Sequence, residues 1–151
     1  MRTISGDYVN DSVATISQSA FSACKKLTSV TFTKATTANT SAFATCTALI
    51  RADFTVLTSL SANAFSTCRI LNTIILRSNT IVTLANINVF NTCDHIHGTV
   101  DATYNPDGAK DGYIYVPRAL VDSYKSATNW STFADQIRAI EDYPEICGGE
   151  N

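Results

Sequence analysis

A chain of 151 residues with a formal net charge of −2 is the size of one domain, and so even a balance leaves no electrostatic footprint for nucleic acid. Its 45% apolar content excludes a disordered chain, while charged residues reach only 16% against about 25% in ordinary domains. Ser and Thr fill much of that gap, roughly a quarter of the chain, a composition that favours strands and turns over helices.

In chain order, Ile4 and Tyr8-Val9 read as an incomplete first coil. Four segments then align with one another: Ala20-Phe21-Ser22-Ala23-Cys24-Lys25-Lys26-Leu27, Ala42-Phe43-Ala44-Thr45-Cys46-Thr47-Ala48-Leu49, Ala64-Phe65-Ser66-Thr67-Cys68-Arg69-Ile70-Leu71 and Val89-Phe90-Asn91-Thr92-Cys93-Asp94-His95-Ile96. Phe21, Phe43 and Phe65 are 22 residues apart and Phe90 follows after 25, a period that means a solenoid. Past each block Leu27, Val30 and Phe32 recur as Leu49, Ala52 and Phe54, then as Leu71, Ile74 and Leu76. Ahead of it Val13 and Ile16 recur as Ala35 and Ala38, then as Leu57 and Leu60. The apolar-x-apolar end of each repeat has the period of a strand with one buried face. The compact Ala-Phe-x-x-Cys part predicts a short helical turn. No single repeat can bury its apolar side alone, but stacked repeats share one core.

This pattern resembles the BspA-like leucine-rich repeat family, over about Ile4 to Ile140. The resemblance implies a short right-handed leucine-rich-repeat coil, an α+β repeat solenoid with a parallel β-sheet face. Two departures stand out. Thr33 and Thr55 lie after the strands, where the family often has Pro. Ala35, Ala38 and Ala52 replace bulkier residues, which predicts that the second coil is the softest.

After Ile96 the pattern changes to a C-terminal cap. Thr99–Tyr104 and Tyr113–Val116 read as strands of a β-hairpin, with turn signals at Asn105-Pro106-Asp107-Gly108 and Asp111-Gly112. Pro117 suits a helix start, with Ala119, Leu120 and Tyr124 as its apolar face. Trp130, Phe133 and Ile137 continue as a helical segment, and Ile137–Ile140 add a final strand. The expected organisation is a single domain over 1–151: first coil 1–19, repeats 20–98, cap 99–141, and a tail 142–151 whose end, Cys147-Gly148-Gly149-Glu150-Asn151, is expected to be mobile. The stretch 113–125 with Thr128-Asn129-Trp130-Ser131 resembles the cap of such proteins in gut bacteria and their phages, which implies surface adhesion or a tail-associated, receptor-contacting role.

Little in the chain points to chemistry. Cys24, Cys46, Cys68 and Cys93 hold one slot of successive coils, which predicts a column of buried thiols. A disulfide within the column and a metal set are weaker alternatives, since close C-x2-C pairs are absent. Cys147 falls in the tail and is the expected reactive thiol. His95 and His97 could share one face of a strand and hold a metal, but they read better as surface histidines in a loop. No phosphate-binding glycine loop occurs, so no enzyme activity and no cofactor are expected. No window approaches the ~18 apolar residues of a membrane span, so no membrane insertion is expected. Met1-Arg2 is not followed by the apolar stretch of a signal peptide.

The outward strand face is the candidate interaction surface: Ser29, Thr31 and Thr33 beside Arg51, Asp53 and Thr55, then Thr73, Ile75 and Arg77. Arg51, Asp53, Thr73, Ile75 and Arg77 form the expected partner-binding patch, an apolar anchor among charges, for an unidentified protein or glycan. The expected function is a non-catalytic binding module at a bacterial cell surface or phage tail. The alternative is a structural spacer or assembly domain of a larger surface or virion protein.

Overall fold

The computed structural model describes residues 5–97, 103 and 105–148. A long strand and a two-residue strand alternate along the coils: β1 (Ser5–Asn10), β2 (Thr15–Ile16), β3 (Lys26–Phe32), β4 (Thr37–Ala38), β5 (Arg51–Phe54), β6 (Ser59–Leu60), β7 (Thr73–Leu76) and β8 (Thr83–Leu84). The C-terminal part adds α1 (Asp94–His97), β9 (Tyr113–Val116), α2 (Val121–Ser126), β10 (Ile137–Ala139) and α3 (Pro144–Cys147). One parallel sheet runs β1-β3-β5-β7-β9-β10 and a second runs β2-β4-β6-β8. The register matches equivalent residues, Val30 to Ala52 to Ile74 to Ile114, so each buried side chain sits on its counterpart one coil away.

The short helical turn expected of the Ala-Phe-x-x-Cys segment is a run of consecutive tight turns in the first three copies, and a 3-10 turn, Ile87–Phe90, leads into the fourth. Alternate amides bond locally and across the stack. Ala20, Ser22 and Cys24 donate to the carbonyls of Ser17, Ser19 and Phe21 at 3.0–3.1 Å, while Ser19, Phe21 and Ala23 donate to Thr40, Ala42 and Ala44 of the next coil at 2.7–3.0 Å. The pattern repeats from residues 41–45 onto 62–66 and from 65 and 67 onto 89 and 91. Aiming every second N–H along the stack requires left-handed backbone at fixed slots: Ser19, Ser41 and Asn63, then Ala23, Thr45, Thr67 and Thr92, all with φ near +60°. None is glycine, so each is a locally strained residue held by the bonds on either side.

Within this frame the core is columnar. Phe21, Phe43, Phe65 and Phe90 stack nearly parallel, with centroid spacings of 5.3, 5.1 and 6.0 Å. Phe32 and Phe54 form a second stack that meets the first edge-on, a favoured aromatic geometry. The cysteine column is buried as the repeat predicts, and its thiols are free. Cys46, Cys68 and Cys93 donate S–H to the carbonyls of Phe21, Phe43 and Phe65 at 2.9–3.0 Å, which satisfies the otherwise buried thiols. Ala35, Ala38 and Ala52 are fully buried, so the second coil closes with less apolar volume than its neighbours.

The three extra residues between Phe65 and Phe90 lie on either side of β8, and the longer approach to that strand carries Val82. Its N–H donates to the Tyr124 hydroxyl at 2.8 Å and its carbonyl accepts from Trp130 Nε1 at 2.7 Å. Trp130 and Phe133 rest on Phe90, the last ring of the stack, and Asn129 Nδ2 donates to Leu84 at 2.7 Å. The cap therefore covers the end of the core as its sequence suggests. The second strand of the expected hairpin is not a hairpin strand: β9 runs parallel between β7 and β10, a pairing that a short turn cannot make. The Thr99–Tyr104 strand, apart from Thr103, lies outside the described residues. Gly112 makes the entry to β9 possible: a Cβ there would meet Ile96 Cδ1 at 2.9 Å and Asn72 Cα at 3.0 Å.

Two outcomes follow from the columns. Phe65→Ala should cost about 3–5 kcal/mol, the usual range for a buried phenylalanine, read as a lowered midpoint in urea. Alkaline stability should also fall. Burial pushes the Cys68 and Cys93 thiols above their ordinary value of 9.0 and lifts the Tyr124 hydroxyl from 10.0 to about 12. These groups ionise first in the unfolded chain, so their contribution is complete below pH 9 and is lost as pH rises from 9 through 12. Melting temperatures measured over that range should decline steadily.

Candidate functional site

The strand register brings Arg51 beside Thr73 and Asp53 beside Ile75, so the expected patch is one contiguous surface on two adjacent strands. Its exposure is not as expected. Ile75 is 0% exposed and Asp53 6%, and Arg77 is largely covered. The reading of Ile75 as a solvent-facing anchor outside the core is corrected by what lies on it. Ile75 and Tyr115 on the sheet pack with Ile140 and Cys147, bordered by Tyr113, Tyr143 and Ile146, as an apolar cluster separate from the solenoid core.

Of the residues that cover the patch, Ile140 ends the expected cap, and Tyr143, Ile146 and Cys147 come from the expected tail. Pro144 at the first position, where its missing N–H costs nothing, starts α3, and Gly148 in left-handed conformation (φ 93°) ends it. Cys147 is 1% exposed, so it lies buried at the end of α3 and not in an open tail. Burial raises its pKa, and the nearby Arg77 and Arg51 charges oppose that rise in part. Tyr143 meets Tyr115 edge-on with centroids 5.3 Å apart, and Arg138 lies over the Tyr113 ring at 4.5 Å.

Charged groups complete the contact. Asp53 takes Arg77 in a two-pronged pair, Oδ1 to Nε and Oδ2 to Nη2, both at 2.9 Å; the bond to Asp53 holds the guanidinium above its ordinary pKa. Arg77 Nη2 also donates to the Cys147 carbonyl. Arg51 Nη2 lies 3.4 Å from Asp53 Oδ2 and donates to the Ile146 carbonyl at 3.2 Å. Both carbonyls belong to the last turn of α3, where a helix has no partners of its own and carries partial negative charge. Sequence reasoning found the receiving side chains but not their occupant, since a proline, an isoleucine and a glycine near a terminus do not announce a docked turn. Arg51 and Thr73 stay partly open, continuous with a polar row that runs through Ser29 to Asp7. Ser29 Oγ donates to Asp7 Oδ1 at 2.7 Å.

The histidines do not share a face. They lie on α1, not on a strand or loop, and two residues apart on a helix point in different directions. His95 Nδ1 is 2.5 Å from Asp111 Oδ1, while His97 meets the Phe133 ring. Asp94 is buried with Oδ2 3.1 Å from Arg69 Nη1. Among the described residues no three His, Cys, Asp or Glu side chains converge as a metal site would require, and no helix is long and apolar enough to cross a membrane.

Stacked parallel coils, columns of identical core residues and a capped end define a leucine-rich-repeat solenoid with a strand face on offer to solvent. Residues 4–103 match the model of the BspA type leucine rich repeat region in six copies, and the chain belongs to that family. Repeats of this family are typically surface-associated and protein-binding, and generally act as scaffolds without catalysis. No curated protein matches the sequence.

The Asp53–Arg77 pair gives a direct check on this geometry. Asp53→Ala should cost about 3 kcal/mol, because it strands a covered guanidinium. Adding Arg77→Met should recover part of that loss. A double-mutant cycle by urea unfolding reads both.

Proposed function

We propose that this chain is a non-catalytic recognition module that holds a protein or glycan at a cell surface through its strand face, as a single domain over 1–151. The observation that carries the reading is the row Asp7, Ser29, Arg51 and Thr73. Each coil contributes one polar side chain to it, in register and reached by solvent. Side chains repeated at the strand spacing of about 4.8 Å suit an extended ligand better than a compact one. The partner-binding patch Arg51, Asp53, Thr73, Ile75 and Arg77 divides accordingly: Arg51 and Thr73 belong to the open row, and Asp53, Ile75 and Arg77 lie beneath α3. A cell-surface setting is the one typical of the family, and it is preferred here to a virion tail.

The test is a glycan array and a surface-protein pull-down with the whole chain, repeated with Arg51→Glu and Thr73→Arg. Binding should drop at least about tenfold in either variant, a loss typical of a central contact residue, while each variant remains folded by circular dichroism. Binding unaffected by both changes moves the site off the strand face. No binding to any surface glycan or protein favours the spacer role.

A further inference from the structure

We infer that the segment Ile140–Gly148 is an autoinhibitory strap: it occupies the Asp53–Ile75–Arg77 half of the strand face and opens without unfolding the coils, uncovering a site for the C-terminal turn of a helical peptide. The consequence for ligand binding rests on the recognition reading above, but the strap itself does not. Three observations carry it.

The strap packs as its own cluster. Ile140 and Cys147, with Tyr143 and Ile146, touch Ile75, Tyr115 and Tyr113 and no residue of the Phe and Cys columns. A small apolar contact outside the main core is where local opening is least costly. The strap also adds no strand to the sheet. α3 is held by side chains, and the main-chain bonds within the segment are its own: Ile146 and Cys147 donate to Tyr143, and Gly148 to Pro144. It can therefore leave as a unit with its turn intact.

The receiving side, finally, is assembled without it. Asp53 orients Arg77 through two bonds of 2.9 Å, and Arg51 reaches the same carboxylate. Toward that side the strap contributes only acceptors, the Ile146 and Cys147 carbonyls, and at its start Glu141 and Asp142 accept from Arg118 in bonds exposed to solvent, where an ion pair holds little. Departure of the strap leaves two oriented guanidinium groups beside an apolar floor of Ile75 and Tyr115. That set recognises the carbonyl-rich end of a helix carrying an apolar side chain. Cys147 acts here as a reporter of opening, buried while the strap is down.

Two measurements test the strap on the full chain. In native thiol labelling followed by mass spectrometry, Cys147 should react at least about tenfold faster than Cys46, Cys68 and Cys93, at a rate nearly independent of low urea, as local opening requires. Labelling of all of them together, at the global unfolding rate, overturns the strap. In the second measurement, Ile146→Asp should detach the strap while leaving the receiving side untouched. A fluorescein-labelled peptide with the sequence of residues 140–148 should then bind this variant saturably, and should bind at least about fivefold more weakly once Arg51→Gln is added. A folded Ile146→Asp chain that does not bind the peptide, or binds it equally with Arg51→Gln, overturns the site; if Ile146→Asp does not fold, the thiol rates of the wild-type chain decide. A blank glycan and protein screen with fast Cys147 labelling sinks the recognition reading alone, while a positive screen with concerted labelling sinks the strap alone.

Discussion

The hydrogen bonds that tie each coil to the next govern everything else in this molecule. Three parallel ladders run the length of the stack: the long strands, the two-residue strands, and the alternate amides of the turn segments. Parallel, in-register pairing leaves no freedom in what lies above what. A residue that fits the interior of one coil must fit against the same residue of the next, so the core becomes columns of Phe and Cys. The price of the third ladder is seven non-glycine residues of the coils in left-handed backbone. That strain persists because the amides on either side would otherwise be buried without partners.

Columns of this kind must stop somewhere, and the last coil shows how. The same insertion that breaks the 22-residue period supplies Val82, whose N–H and carbonyl receive Tyr124 and Trp130. A departure from the repeat is thus the attachment point for the part of the chain that does not repeat. The aromatic groups of the cap close the Phe stack with their apolar surfaces and use their polar atoms to satisfy backbone groups that no further coil would reach.

The strand face has two halves with different chemistry. Toward the N-terminal coils it is a row of short hydroxyl and carboxylate side chains with one arginine, open to water, with Ser29 bonded to Asp7 at its start. Toward the cap it carries Ile75, Tyr113 and Tyr115, an apolar surface on which α3 packs, burying Ile75 and Tyr115. Arg51 sits at the border and contacts both the carboxylate beneath and the strap above. A ligand that runs along the open row would meet the strap at this residue, which couples the two halves through one side chain.

Much of this architecture was legible in the sequence. The 22-residue recurrence of Ala-Phe-x-x-Cys fixed the coil, the burial of Phe43, Phe65 and the cysteine column, and the register that sets Arg51 beside Thr73, because one repeat cannot bury its core except against its own likeness. The period could not show the turn geometry, since Thr45, Thr67 and Thr92 carry no sign of left-handed backbone where glycine would have. Pattern reading set His95 and His97 in a surface loop, and the chain winds them into a short helix instead. Above all, it treated residues 142–151 as a tail. Whether a segment docks depends on a surface assembled from β5, β7 and β9, about 60 residues of separation in all, and no local property of Pro144–Cys147 encodes that. The repeat thus determined the scaffold by itself, while the occupancy of the strand face was decided only when distant strands had met.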